Sequence, residues 1–457
     1  MIDMIGEAFR CCDGVSRRSF LKAGYLGLAG LGLSDLLRVE ARAKELGAKS
    51  KPGDDLSVIL VWLDGGPPQH ETFDPKPEAP SEFRGPFKAI DSSAPGIQLS
   101  ELFVQTAKVM DKASVIRSMH HNNGDHFAAA HWMLTGYLGS NAGSLTPQYP
   151  SAGSIITKIK GTKRAGMPAY VGLPNTHTIG LAPGYHGAAY LGVAYNPFAA
   201  DGDPNNDGYQ VPNLNLPSGV DPNRVDHRRE LLSSFDHARR DIDASGLMDG
   251  LDRFGQQAFD LVTGPAAREA FNIKKEDPRL RDRYGRHNWG QSALMARRLV
   301  EAGVRFVTLT FGGWDMHSSI ERSMRNAGTP LDNAVGTLIA DLDQRGLLDS
   351  TIVIVMGEFG RTPRINNGLP GNDPTPGRDH WGEVMSVLIA GGGFAGGRVV
   401  GTSNARGEYP KDKPLAPQDL LATVYRKMGI DPQTSFVNRA GRPIPIGSNG
   451  QIIEELG

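Results

Sequence analysis

The stretch LSVILVWL (56–63) is apolar at nearly every position and stops abruptly at Asp64-Gly65-Gly66. Alternation of apolar and polar residues would mark a strand with one wet face. An unbroken run rich in branched residues predicts a strand buried on both. The pattern recurs in SVIRSM (114–119), AYVGLP (169–174), VRFVTLTFGGWDMH (304–317), STIVIVMGEFG (350–360) and EVMSVLIAGG (383–392). Between these runs the period becomes helical. FAAAHWMLTGY (127–137), GQSALMARRLVEAG (290–303), a segment of about 318–346 and DLLATVYRKMG (419–429) carry it, two of them stopping at a glycine. Strand–helix–strand alternation with continuous apolar strands predicts an α/β fold: a mainly parallel central sheet with helices on both faces. Residues of about 200–285 break the pattern, first with a Pro/Asn/Gly-rich loop and then with charged helical stretches. They read as an insertion or cap on a domain spanning 56–457.

The N-terminus obeys another logic. SRRSFLK (16–22) precedes the apolar AGYLGLAGLGLS (23–34), and Ala41-Arg42-Ala43 offers a small-x-small cleavage site. This order resembles a twin-arginine export leader over 1–43, with a linker over 44–55 after it. The apolar run ends at Asp35, short of the roughly 20 residues that span a bilayer. The expectation is a periplasmic or exported protein with no stable membrane insertion after cleavage. Both cysteines, Cys11 and Cys12, lie in the leader. A cleaved chain then has no disulfide, no thiolate metal site and no cysteine nucleophile, so His, Asp and Glu must hold any metal. The net charge of −1, from 49 basic and 50 acidic residues, gives no electrostatic footprint for nucleic acid.

In an open parallel sheet, ligands bind beyond the carboxyl ends of the strands. The polar residues just past the apolar runs are Asp64; His120, His121, Asp125 and His126; Asp315 and His317; and Glu358 and Arg361. The next loop adds Asp379-His380. If the chain stays extended through Asp315-x-His317, both side chains share a face and can bind one metal. His380 is the natural third ligand. Mixed imidazole and carboxylate ligation suits a divalent zinc, manganese or iron ion better than calcium. Asp-x-His alone is more often a loop hydrogen-bond pair; its place after a strand, with matching groups after other strands, makes ligation an equal reading. DGDPNNDG (201–208) lacks the sixth-position glycine and distal glutamate of a calcium loop and reads as a solvated turn. His227 and His237 read as surface residues, Trp132 and Tyr137 as packing. His177 and His186 lie in Gly/Pro-rich loops that could border a pocket.

Taken in order, WLDGGPPQHETFDPKP, HWMLTG, TFGGWDMHS, GEFGRTPRIN, GRDHWG and DLLATVYRKMGI resemble the alkaline-phosphatase and sulfatase-like superfamily. More closely, they resemble a twin-arginine-exported family within it, domain of unknown function fifteen-oh-one, from about residue 56 to 435. The resemblance implies an alkaline-phosphatase-like three-layer fold and one or two metal ions held by Asp64, Asp315, His317, Glu358 and His380. Two departures matter. Phe359 stands where the superfamily has a metal-binding histidine, and the nucleophile's place falls on His126, beside Asp125. His126 is then an imidazole nucleophile, a further ligand or a general base, and Ser118 is a substitute nucleophile. Arg361 is expected to neutralise charge on the transferring group. The function implied is an exported metal-dependent hydrolase of phosphate or sulfate esters, on small-molecule or polysaccharide substrates. The alternatives are a non-catalytic ligand-binding protein on the same fold and a metal-dependent phosphomutase. Oligomeric state leaves no sequence signal.

Overall fold

The computed structural model describes residues 53–139, 145–211, 214, 265–368 and 374–457. The leader, most of the linker, and 212–213 and 215–264 of the insertion lie outside the described residues, with His227 and His237. Asp55–Gly457 forms one compact unit.

Eight strands make its central sheet: β1 (Ser57–Leu63), β2 (Ala113–Met119), β3 (Tyr170–Leu173), β4 (Phe198–Ala199), β5 (Phe306–Phe311), β6 (Thr351–Met356), β7 (Met385–Gly391) and β8 (Arg398–Val400). Their order is β8-β2-β7-β6-β1-β5-β3-β4. All neighbours pair in parallel except β7, which runs antiparallel to both β6 and β2. The sheet is therefore mainly parallel, as the apolar runs predict, with one reversed strand that they do not reveal.

Helices cover both faces, and the alternation within β1 shows why its sequence is apolar throughout. Ile59, Val61 and Leu63 enter a core shared with α3 (Asn288–Glu301) and α4 (Ile320–Gln344). Val58, Leu60 and Trp62 enter a second core with α1 (His126–Thr135), α2 (Ala152–Lys160) and α5 (Pro417–Lys427). Burying each such side chain stabilises the fold by about 1.5–3 kcal/mol. Two cores, not one, select against polar residues along the run. This is the expected three-layer α/β arrangement. Among the described residues no helix is long and apolar enough to cross a membrane.

Register decides where the loops emerge. Leu63 pairs with Phe311 and Trp62 with Met356, so β1, β5 and β6 end level with one another. β2 runs in the same direction and ends at the same edge. β7, being reversed, begins there.

Candidate metal centre

The strand polarity brings five segments to one edge of the sheet. Asp64 leaves β1, His126 comes after β2, Asp315 and His317 after β5, and Glu358 and Arg361 after β6. The reversed β7 receives Asp379-His380 as incoming residues. A short antiparallel ladder pairs His380 with Arg361 and Trp381 with Gly360, which fixes the incoming loop. Gly65 (φ +116°) permits the close approach of β1 to the β5 loop: a Cβ there would lie 2.6 Å from the Asp315 nitrogen.

Three imidazoles surround the Asp315 carboxylate. Nε2 of His317 and Nε2 of His380 each lie 3.0 Å from Asp315 Oδ1 and 3.0 Å from one another. His126 Nε2 lies 3.5 Å from Asp315 Oδ2. Ligating atoms of His126, Asp315 and His380 all fall within 4.8 Å of one another. The opposite ring nitrogens fix the tautomers. His126 Nδ1 donates to Glu358 Oε1 at 2.7 Å, His317 Nδ1 to Asp379 Oδ1 at 2.7 Å and His380 Nδ1 to the Gly124 carbonyl at 2.8 Å. Each neutral imidazole then turns an Nε2 lone pair toward the carboxylate.

Three lone pairs aimed at an anion form an assembly of acceptors that needs a cation. Donor atoms about 3 Å apart fit a common ion at about 2.1 Å, and carboxyl or carbonyl partners behind the imidazoles are what metal-binding histidines have. The donor set therefore fits one divalent metal of the zinc, manganese or iron type. A proton meets the same need. Burial opposes charge on His126, but its hydrogen bonds and charge contacts with Asp315 and Glu358 outweigh that and push its pKa up to about 9. Burial would raise the Asp315 pKa, yet its contacts with protonated His126, with His380 and with the Arg361 guanidinium hold it far below the usual carboxylate range.

Several expected site residues take other places. β5 stops at Phe311, so Asp315 and His317 meet through a loop and not through strand alternation. Glu358 is fully buried, accepts the Gly65 amide at 2.9 Å and stands behind His126, which puts it outside the ring of Nε2 donors. Asp64 accepts the Trp62 indole N–H at 2.8 Å and the Ile179 amide at 3.0 Å to each oxygen, while burial pushes its pKa up. Ile179 holds φ at +49°, a costly conformation for a branched residue, so its amide is aimed at Asp64 against local strain.

Asp125 caps α1, its Oδ1 accepting from the Ala128 amide at 3.0 Å, and does not assist His126. Ser118 is buried against Gly401. Arg361 is fully buried. Its guanidinium donates to the carbonyls of Gly65, Gly66 and Arg378 and, at 2.6 Å, to Asp315 Oδ1. It orients Asp315 and is not free to meet a substrate anion, contrary to the expectation from sequence. His186 is buried in the core and His177 is exposed. Asp203 Oδ1 accepts the Asn205 amide at 2.8 Å, the turn expected of DGDPNNDG.

Other contributors take parts that the sequence did not assign them. Phe359 packs its ring 4.9 Å from His126 and 4.5 Å from His380, forming an apolar wall for both. Buried Arg378 donates to Glu71 Oε1 at 2.7 Å, the Thr362 carbonyl at 2.9 Å and the Phe83 carbonyl at 2.8 Å, which pins the backbone just before Asp379-His380. His121 Nδ1 accepts the Asn123 amide at 3.2 Å, so Nε2 donates to the Glu358 carbonyl at 2.6 Å and anchors that residue.

The model of the family described as protein of unknown function (DUF1501) matches residues 55–456. The chain belongs to this family. No curated protein matches it. Among solved structures, a phosphonate monoester hydrolase of Agrobacterium radiobacter aligns at 10% identity and TM-score 0.42, covering 88% of this chain and 77% of that one. A protein of the alkaline phosphatase superfamily from Vibrio parahaemolyticus aligns at 13% identity and TM-score 0.41, covering 89% and 72%. A sulfatase from Pseudoalteromonas sp. aligns at 14% identity and TM-score 0.38, covering 85% and 70%. In this DUF1501 member the strand-end cluster gathers the titratable side chains of five segments at one edge of the sheet.

Proposed function

We propose that the chain is an exported, metal-dependent hydrolase of phosphate or sulfate esters that uses a single divalent ion. The observation that carries this reading is the convergence of three imidazole Nε2 atoms on Asp315, each imidazole backed by an acceptor at Nδ1. His126, Asp315 and His380 hold the ion. Glu358 and Gly124 set the tautomers of His126 and His380, and Arg361 sets the carboxylate plane of Asp315. Phe359 keeps solvent off one side of both rings, which strengthens the electrostatics within. When bound, the metal supplies Lewis-acid polarisation of the ester oxygen and activates water. His126 acts here as a ligand: with Nδ1 on Glu358 and Nε2 on the ion, no lone pair remains for nucleophilic attack. The ordered motifs support phosphate and sulfate esters as the substrate class, and the leader at 1–43 supports export.

A specific observation favours a second reading, a binding protein with a structural metal. His317 offers a fourth donor at 3.0 Å from Asp315 and His380. Three protein donors leave a tetrahedral ion open to substrate, whereas four close it. The test is to assay the mature protein loaded with zinc, manganese or iron on 4-nitrophenyl phosphate and 4-nitrophenyl sulfate. The hydrolase reading expects turnover that a chelator abolishes and metal restores. Metal bound without turnover of any ester in a broad panel favours the structural role.

A further inference from the structure

The sequence holds three Asn-Gly pairs, Asn123-Gly124, Asn367-Gly368 and Asn449-Gly450. In such a pair the glycine nitrogen can attack the asparagine Cγ, because no Cβ on the glycine blocks the approach. What the fold does with each glycine amide decides which pair reacts. The Gly368 amide donates to Asn366 Oδ1 at 2.8 Å. Asn366 is itself held, its Nδ2 donating to the His317 carbonyl at 3.0 Å and to Asp379 Oδ2 at 3.2 Å. The Gly450 amide donates to the Gly447 carbonyl at 2.7 Å. A nitrogen engaged in this way must give up its hydrogen bond before it reacts. Gly124 is exposed, and among the described residues its amide meets no acceptor.

The neighbouring contacts prepare this pair further. Asn123 Oδ1 accepts the Asp125 amide at 2.8 Å, which curls the carboxamide back over the peptide bond to Gly124. That hydrogen bond also draws electron density from the amide carbon that is attacked. The same short segment supports two of the proposed ligands. The Gly124 carbonyl accepts from His380 Nδ1 at 2.8 Å, and Asp125 caps the helix whose first residue is His126.

We infer that Asn123-Gly124 is a site of spontaneous deamidation whose isoaspartyl product dismantles the strand-end cluster. The Gly124 nitrogen loses its proton to hydroxide, bonds to Asn123 Cγ and expels the side-chain nitrogen as ammonia. The resulting cyclic imide takes up one water. Opening at Cγ leaves aspartate. Opening at the Asn123 backbone carbonyl leaves isoaspartate, whose main chain runs through the former side chain and is one methylene longer. The added length falls between β2 and α1, so it displaces the Gly124 carbonyl from His380 and the cap from α1.

The test holds the metal-loaded full mature chain in mildly alkaline buffer and samples it over days. Peptide mass spectrometry and methyltransferase labelling of isoaspartate follow all three pairs. Asn123-Gly124 is expected to convert at least tenfold faster than the other two, and faster as hydroxide rises. Metal content and the urea midpoint are expected to fall in step with its isoaspartate. In Gly124→Ala the added Cβ would lie 3.8 Å from the His380 Cβ, an ordinary contact. This variant is expected to block conversion and to hold both quantities at its own starting values. The chemical readout needs neither metal nor turnover, so its failure is distinct from failure of the hydrolase reading. Equal rates at the three pairs, or no isoaspartate at Asn123, overturns the inference. So does isoaspartate that accumulates while metal content and urea midpoint stay unchanged.

Discussion

Glu358 Oε1 lies 2.7 Å from His126 Nδ1, inside a fully buried pocket where the same carboxylate accepts the Gly65 amide. That one contact determines which imidazole nitrogen of His126 faces Asp315, and so whether the ring can be a ligand. Glu358→Gln keeps the shape and the Gly65 contact but loses the charge. Metal affinity is expected to fall about 10- to 100-fold with the fold intact. Competition with a chromogenic chelator measures it, and an unchanged affinity removes Glu358 from the support of His126.

Arg361→Ala is expected to unfold more readily than the parent, by roughly 3 kcal/mol, because it strands the buried carbonyls of Gly65, Gly66 and Arg378 and leaves a cavity. A guanidinium that met only the substrate would leave stability untouched. Urea unfolding of the two proteins separates the cases: equal midpoints contradict the positioning role.

His317→Ala divides the open from the closed site. If His126, Asp315 and His380 suffice as ligands, the variant retains its metal with affinity within about tenfold of the parent. Loss of metal at micromolar chelator places His317 in the coordination shell and favours the structural reading.

Acid should destabilise the fold through histidines remote from solvent, His186 and His121 among them. Burial lowers His186 to about 3 and His121 to about 4, whereas the unfolded chain titrates each near 6.5. The unfolded state therefore binds protons that the native state refuses across this window. Stability is complete above about pH 6.5 and declines as pH falls toward 4. Between pH 6.5 and 5 the loss is about 2 kcal/mol per histidine. Urea midpoints across this range, with His186→Gln reducing the slope without abolishing it because burial lowers His70 and His131 as well, check the sign; a flat profile refutes it.

The physics of each feature decides how much of it was legible in the sequence. Apolar runs located six of the eight sheet strands within a few residues, missing the two-residue β4 and the three-residue β8 at the two edges. Burial on two faces leaves that mark directly, and a short edge strand carries too few residues to show it. The direction of β7 did not show, because an apolar run reads alike in either sense; yet its reversal is what delivers His380 to the site. The gathering of Asp315, His317 and His380 was legible because polar residues sit directly beyond the apolar runs. The partition between ligand and support was not. Glu358, expected as a ligand, lies behind His126, for which ligation was one of three open readings, because the matter turns on which carboxylate is buried behind which ring nitrogen. Asp125 looked like a catalytic partner by adjacency, and a helix cap claims it. Arg361 was expected to meet the transferring group, and its guanidinium instead donates to three backbone carbonyls. Asn366 and Arg378 act across long sequence separations, which no local pattern encodes.

In the proposed function His126, Asp315 and His380 hold one divalent metal. Elemental analysis of the mature protein, purified without chelator, tests it most directly when run beside Asp315→Ala and His126→Ala. About one equivalent of zinc, manganese or iron per chain is expected in the parent, and its loss in both variants. No bound metal in the parent after supplementation, or full metal retained without Asp315, contradicts it.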